Sequence, residues 1–220
     1  RVMWAWLATA NRQTDNLTIQ SLPRELDLCE DGSLSIKPLR ELSSLRYDPK
    51  TLYDIKLIPN QDPKSNSVST HIANLPGDSI EICVKINRAE VNRKRFGFQL
   101  FADSSSDGLS ILFRPETSTV ILGETEVPFA VSELPEGEDL EINIFIDKYL
   151  VELFFNSKQA ALTVFMDYKG GKELRGYAFG RNRANVGATV IKSITIWSLK
   201  PTNQGFLAAI ENRNWEPKTK

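Results

Sequence analysis

The sequence predicts an all-β protein, and two observations carry that prediction. The first is the stretch Leu140 to Phe165, LEINIFIDKYLVELFFNSKQAALTVF. Leu140, Ile142, Ile144 and Ile146 alternate with Glu141, Asn143, Phe145 and Asp147, the period of two that marks a half-buried strand. Asp147-Lys148-Tyr149 breaks the run, and Val151, Leu153 and Phe155 resume it, which makes a hairpin. Asn156 to Gln159 then turns into a third strand, Ala161 to Phe165. The second observation is spacing: from Tyr47 to Lys200, strand-like runs recur with turn signals every 8 to 12 residues or so, the mark of a β-sandwich.

The elements follow in order. Residues 1–46 hold three runs, Val2 to Thr9, Thr18 to Leu28 and Leu34 to Leu39. Asp31-Gly32 is a tight-turn signal between the second and third, so the three form a meander. Arg40 to Asp48 reads as a linker. The candidate strands of the sandwich are 51–57, 67–73, 79–87, 96–102, 108–114, 117–122, 126–131, 140–146, 150–156, 161–166, 174–180 and 190–199. Pro201 ends the last one, Gly205 to Trp215 has room for one or two helical turns, and the rest is polar. The divisions are therefore 1–46, 47–200 and a tail, 201–220.

Composition narrows the function. Apolar residues make up 41% of the 220, enough for a real core, and 27 Lys and Arg nearly cancel 28 Asp and Glu. A basic footprint for nucleic acid is not expected, nor is an electrostatic membrane anchor, and no apolar run approaches the roughly 18 residues of a spanning helix. Cys29 and Cys83 read as two buried free thiols, although a single long-range disulfide stays open. The opening Arg1-Val2-Met3-Trp4 lies already inside a strand, which reads as part of something longer.

Few side chains suggest chemistry. The one histidine, His71, reads as structural, since nothing places a nucleophile and an orienting acid beside it. Four Cys or His ligands would be needed for structural zinc, and the chain has three such residues. No metal site and no cofactor are expected. Asp103 to Gly108 resembles half a calcium loop, but Arg114 stands where its closing acid belongs, so it reads as a polar turn. Asp147 and Glu152 flank the hairpin turn and could lie close, as two glycosidase carboxylates do. A turn residue and a paired structural acid explain them better. Of Trp4, Trp6, Trp197 and Trp215, only Trp6, on the same strand face as Trp4, is a candidate for stacking on a sugar.

Three segments carry a resemblance. Trp4-Ala5-Trp6 is followed by Ser21-Leu22-Pro23-Arg24-Glu25-Leu26 and by Lys37-Pro38-Leu39-Arg40-Glu41-Leu42 with Leu45-Arg46. Ile146 to Asn156 resembles a D-x-S-x-[VL]-E-[VL]-F hairpin, and Ile196-Trp197-Ser198-Leu199 closes the match. Over residues 1 to 200 the chain resembles the C-terminal part of glycoside hydrolase family 32, the invertase, inulinase and levanase group. The resemblance implies a concanavalin-like β-sandwich preceded by a three-stranded remnant of a five-bladed β-propeller. It implies a retaining parent enzyme cleaving fructan or sucrose, with one carboxylate attacking the sugar and one protonating the leaving oxygen, in an extracellular or periplasmic setting. The family's W-[ML]-N-D-P-N-G, R-D-P and E-C motifs do not occur here, so no catalytic residue carries over and the chain alone is expected to be inactive.

Two other readings stand beside it, a lectin-like carbohydrate-binding module and a structural or assembly module. Val2, Trp4, Trp6, Leu22, Leu26, Leu28, Leu34 and Ile36 need shelter. They are expected to pack on the sandwich, stay mobile or, as first choice, pair with a second copy through residues 1–46.

Overall fold

The computed structural model describes residues 1–8, 18–60, 69–91, 95–148, 150–164, 171–179 and 187–202. Five short strands come first: β1 (Val2–Met3), β2 (Trp6–Ala8), β3 (Thr18–Gln20), β4 (Arg24–Leu28) and β5 (Leu34–Pro38). They pair as an antiparallel β1-β4-β5 sheet and a β2-β3 ribbon. The meander is present, but its first two runs are each broken. Val2 lies opposite Glu25 and Trp6 opposite Gln20, so the register slips by one residue between the two pairs. At the slip the Ala5 N–H donates to Ser21 Oγ at 2.8 Å instead of to a carbonyl. Pro23, with no N–H to offer the ladder, follows in the break.

The stretch expected as a linker, Arg40 to Asp48, connects β5 to the sandwich in ordered form. Arg40–Leu45 forms a 3-10 turn, in which Ser43 and Ser44 hydroxyls donate to the Arg40 and Glu41 carbonyls. The twelve-residue β6 (Arg46–Leu57) starts at once after it. Then come β7 (Pro59–Asn60), β8 (Thr70–Asn74), β9 (Ser79–Ile86), a single helical turn α1 (Arg88–Val91), β10 (Phe96–Ala102), β11 (Leu109–Arg114), β12 (Thr119–Leu122), β13 (Thr125–Pro128), β14 (Leu140–Asp147), β15 (Leu150–Phe155), β16 (Gln159–Val164), β17 (Glu173–Phe179) and β18 (Thr189–Leu199). The expected strands agree with these to within a few residues. β7 and α1 are additions, and Gly205 to Trp215 lies outside the described residues.

Two sheets stack. One runs β16-β15-β14-β9-β18-β6; the other runs β13-β12-β11-β10-β17, with β7 and β8 both beside β17. Their inner faces meet in an aliphatic and aromatic core. Phe96 and Phe113 stack at 4.8 Å, and Phe155 of the facing sheet meets Phe113 edge-on at 5.7 Å, the offset and T-shaped geometries that ring quadrupoles favour. Gly176 has no side chain because Leu57 crosses there; a Cβ would meet Leu57 Cδ2 at 2.5 Å. Among the described residues no helix is long and apolar enough to cross a membrane. Cys83 is buried as expected, whereas Cys29, in the tight turn after β4, is exposed; both thiols are free.

Candidate functional site

β15 is buried along its whole length. Val151, Leu153 and Phe155 face the inner core, so Leu150, Glu152 and Phe154 point the other way, to the outer face of the six-stranded sheet. Outer faces of sandwiches are normally polar and wet. This one is covered. Phe145 and Phe154 are 2% and 1% exposed and pack on each other edge-to-face at 5.9 Å.

Register sets a row across this face. Glu152 lies opposite Phe145, Phe145 opposite Glu81, and Glu81 opposite Trp197. Both acids are sealed from solvent, Glu152 at 1% exposure and Glu81 at 0%. A buried carboxylate needs a charged or hydrogen-bonding partner, and each takes an arginine, Glu152 from β4 in the preceding strands and Glu81 from the first residue of β6. Arg24 of β4 donates through Nη2 to Glu152 Oε2 at 2.5 Å, and the Leu22 N–H donates to Oε1 at 2.5 Å. Arg46 donates through Nε and Nη2 to the two oxygens of Glu81 at 2.6 and 2.7 Å. Each guanidinium also lies over a ring, Arg24 over Phe154 at 5.3 Å and Arg46 over Trp197 at 4.7 Å. Both sockets combine a buried carboxylate with an aromatic face, but only Arg46 grips with a two-pronged fork; Arg24 makes one bond, and the Leu22 N–H takes the second Glu152 oxygen.

Burial pushes the Glu152 carboxyl above its usual range; the Leu22 amide and Arg24 pull it back, and Asp147 adds to the rise. Arg46 is held above its ordinary value by its hydrogen bonds to Glu81. A third tie lies at the sheet edge, where the Ile36 N–H of β5 donates to the Ser157 carbonyl at 2.8 Å. On the other side of β4, Glu25 accepts from Arg40 Nε at 2.7 Å, Nη2 at 2.9 Å and the Arg40 N–H at 3.0 Å. Those bonds bring its carboxyl down to about 2.

The candidate residues of the sequence separate clearly. Asp147 and Glu152 share a face, one at the exposed base of the hairpin and one buried, but both Glu152 oxygens are occupied, so Glu152 is a paired structural acid. Asp147 is pushed up by partial burial and by Asp78, with Lys148 opposing. His71 is exposed and shares a hydrogen bond with Asn74. Asp103 Oδ1 accepts the Ser105 and Ser106 amides, a polar turn as expected. Trp6 is 75% exposed in β2, and Trp4, 58% exposed, falls in the break before it, so one continuous strand face does not join them. Trp215 lies outside the described residues. No group of three or more potential metal ligands occurs among the described residues.

A cleft of about 350 Å³ opens beside Ser157. Its charges answer one another: Lys85 pairs with Glu141 at 3.0 Å, Lys192 with Asp139 at 2.9 Å, and Asn156 donates to Glu138 at 2.7 Å. In both the cleft and the outer row the charged groups are engaged with one another. Arg24, Arg46 and Glu152 stand in separate motifs of the sequence that nothing local joins, and Glu81 stands in none of them. The available signal was Phe145 standing in the polar phase of β14, together with an acid inside each of two otherwise apolar strands.

Residues 41–198 match the family described as glycosyl hydrolases family 32 C terminal, and the chain belongs to that family. It is 28% identical over 148 residues to the raffinose invertase of Escherichia coli, covering 65% of this chain and 28% of that protein. Its fold is similar to the exo-inulinase of Aspergillus awamori (TM-score 0.66, 13% identity, 92% of this chain and 41% of that one). It is also similar to the sucrose-6-phosphate hydrolase of Lactobacillus gasseri (0.63, 18%, 90% and 38%) and to fructan 1-exohydrolase IIa of Cichorium intybus (0.60, 17%, 90% and 45%). The chain spans less than half the length of each of these proteins.

Proposed function

We propose that the chain is the C-terminal supporting portion of a hydrolase that cleaves β-fructosyl bonds in sucrose or fructans with retention. In this reading residues 1–46 are the last three strands of a five-bladed propeller, residues 47–200 are the sandwich on which that propeller rests, and 201–220 is a tail. The observation that carries it is the tie between the preceding strands and the outer face around β15: the buried Glu152 accepts from Arg24 and from the Leu22 N–H, and β5 adds the Ile36 to Ser157 bond, an arrangement suited to seating what comes before. The likeness to the inulinase and exohydrolase folds over about nine tenths of this chain supports the inclusion of residues 1–46. Catalysis belongs to the part of the parent that carries its aspartate and glutamate motifs, because two carboxylates must be held together to act. The parent works outside the cytoplasm, and Trp6 is this chain's contribution nearest to sugar. The test compares the 220-residue chain with the longer product of its coding region on sucrose, raffinose and inulin. Fructose release by the longer product alone is the expected result; release by the 220-residue chain, or an unrelated upstream domain, overturns the reading.

One observation favours a further role for the N-terminal strands. Val2, Trp4, Trp6, Leu28 and Leu34 stay exposed, and such patches recruit partners. Self-association through residues 1–46 follows, read by sizing the chain against a version starting at Tyr47; equal monomeric sizes exclude it.

A further inference from the structure

We infer that Glu152 is a latch, and Arg46–Glu81 the fixed end of a hinge, that together set how the strands before residue 46 are oriented on the sandwich. The inference concerns the chain's own mechanics and holds whether or not the proposed hydrolase reading is right.

The two sockets look alike but differ in what backs them. Arg46 is the first residue of β6, which pairs with β18 from Leu199 to Thr189. Its guanidinium is held by Glu81, fully buried in the middle of the sheet, and by the Trp197 ring. The Arg46 end therefore cannot leave without tearing β6 off the sheet. Arg24 has no such backing. β4 is five residues long, Leu28 and the neighbouring Leu34 and Val2 are exposed, and its sheet partners β1 and β5 belong to the same small unit. Those three side chains bury nothing against the sandwich; the apolar contribution is confined to the sealed Phe145 and Phe154, over the second of which Arg24 lies. Among the described residues the polar ties are Glu152, which holds Arg24 and the Leu22 amide at once, and the Ile36 to Ser157 bond.

Between the two sockets lies the 3-10 turn Arg40–Leu45, with no buried residue. Such a connection can absorb a rotation that strands cannot. Removal of the Glu152 carboxylate leaves Arg24 buried without a partner for its charge, a state that costs more than the pair itself is worth. The cheapest relief is for β1, β4 and β5 to swing out together about the 3-10 turn while β6 stays seated.

The exposed thiol of Cys29 reports this directly, because it sits at the end of β4 away from both sockets, whereas Cys83 is buried. Spin labels on Cys29 and on Glu124→Cys, an exposed position on the sandwich, give the distance between the unit and the sheet. A single narrow distance is expected for the parent chain and a broad distribution for Glu152→Ala. In the same variant, hydrogen exchange at the Leu22 and Ile36 amides should rise tenfold or more, with Ile82 and Ile144 unchanged. Should Glu152→Ala fail to fold, Arg24→Lys keeps the charge but loses the planar guanidinium and its place over Phe154, and an intermediate broadening is expected. An unchanged distance distribution, an unchanged Ile36 amide, or equal loss of protection at Ile82 overturns the latch and makes the pair an ordinary part of the sandwich.

Discussion

Glu25 and Cys83 show how far surroundings move a side chain. The hydrogen bonds from Arg40 hold the Glu25 carboxyl at about 2 against an ordinary 4.5. A carboxylate lowered in the folded state adds stability that is fully present above its unfolded value and is lost as pH falls through the folded one. The thermal midpoint of Glu25→Gln should therefore lie below that of the parent above pH 4.5 or so, and the gap should close on acidification toward about 2. Parallel curves down to that pH would show that the bonds do not form. Cys83 goes the other way: burial, with help from Glu141, lifts its thiol to about 11. Since the thiolate is the reactive form, a maleimide at pH 8 should modify one thiol per folded chain, Cys29, and a second only after unfolding. Rapid modification of both would contradict the buried placement.

The strands show which parts of a fold can be read locally. β14 and β15 were legible because period two is written in adjacent letters. The sandwich core follows from them, and its aromatic centre makes a sharp prediction. Phe113 is 1% exposed and touches Phe96 and Phe155, so Phe113→Ala should cost about 3–5 kcal/mol in chemical denaturation. A loss under about 1 kcal/mol, the range of a tolerated swap, would mean that the two sheets do not close there. The outer row was not legible in the same way. Residues 81, 145, 152 and 197 meet through register between four strands, and only the apolar residues at both phases of Leu150–Phe155 hint that this strand is buried on two sides. The breaks in residues 1–28 were hidden for a related reason: Pro23 is visible, but the Ser21 to Ala5 pairing is a contact between distant residues. Arg40–Leu45 read as a linker because six polar-rich residues carry too short a pattern to reveal a 3-10 turn.

The molecule as a whole joins one independent body, the sandwich, to strands that lean on it. A β-rich circular dichroism spectrum should persist in a chain beginning at Tyr47, though less stable than the parent, because Glu81 loses Arg46 while Phe145 and Phe154 lose the strands beside Glu152. Replacing Glu81 by an apolar residue of similar volume in that shortened chain should recover part of the loss; no recovery would show that the unpaired acid does not set it. The pairing of β6 with β18 has a further consequence, in time. Thr51 lies opposite Thr195 and Ile55 opposite Ile191, so β6 is made first among the strands of its sheet and finds its neighbour last. Closing so distant a pair is slow, on the order of milliseconds to seconds for chains rich in such contacts. Throughout synthesis β6 must wait with a bare edge. Even after β18 arrives β6 remains the edge of its sheet, and Pro49, which offers no amide, Lys50 and Lys56, and the positive φ of 50° and 53° at Asp48 and Asp54 are features that discourage a second chain's strand from joining there.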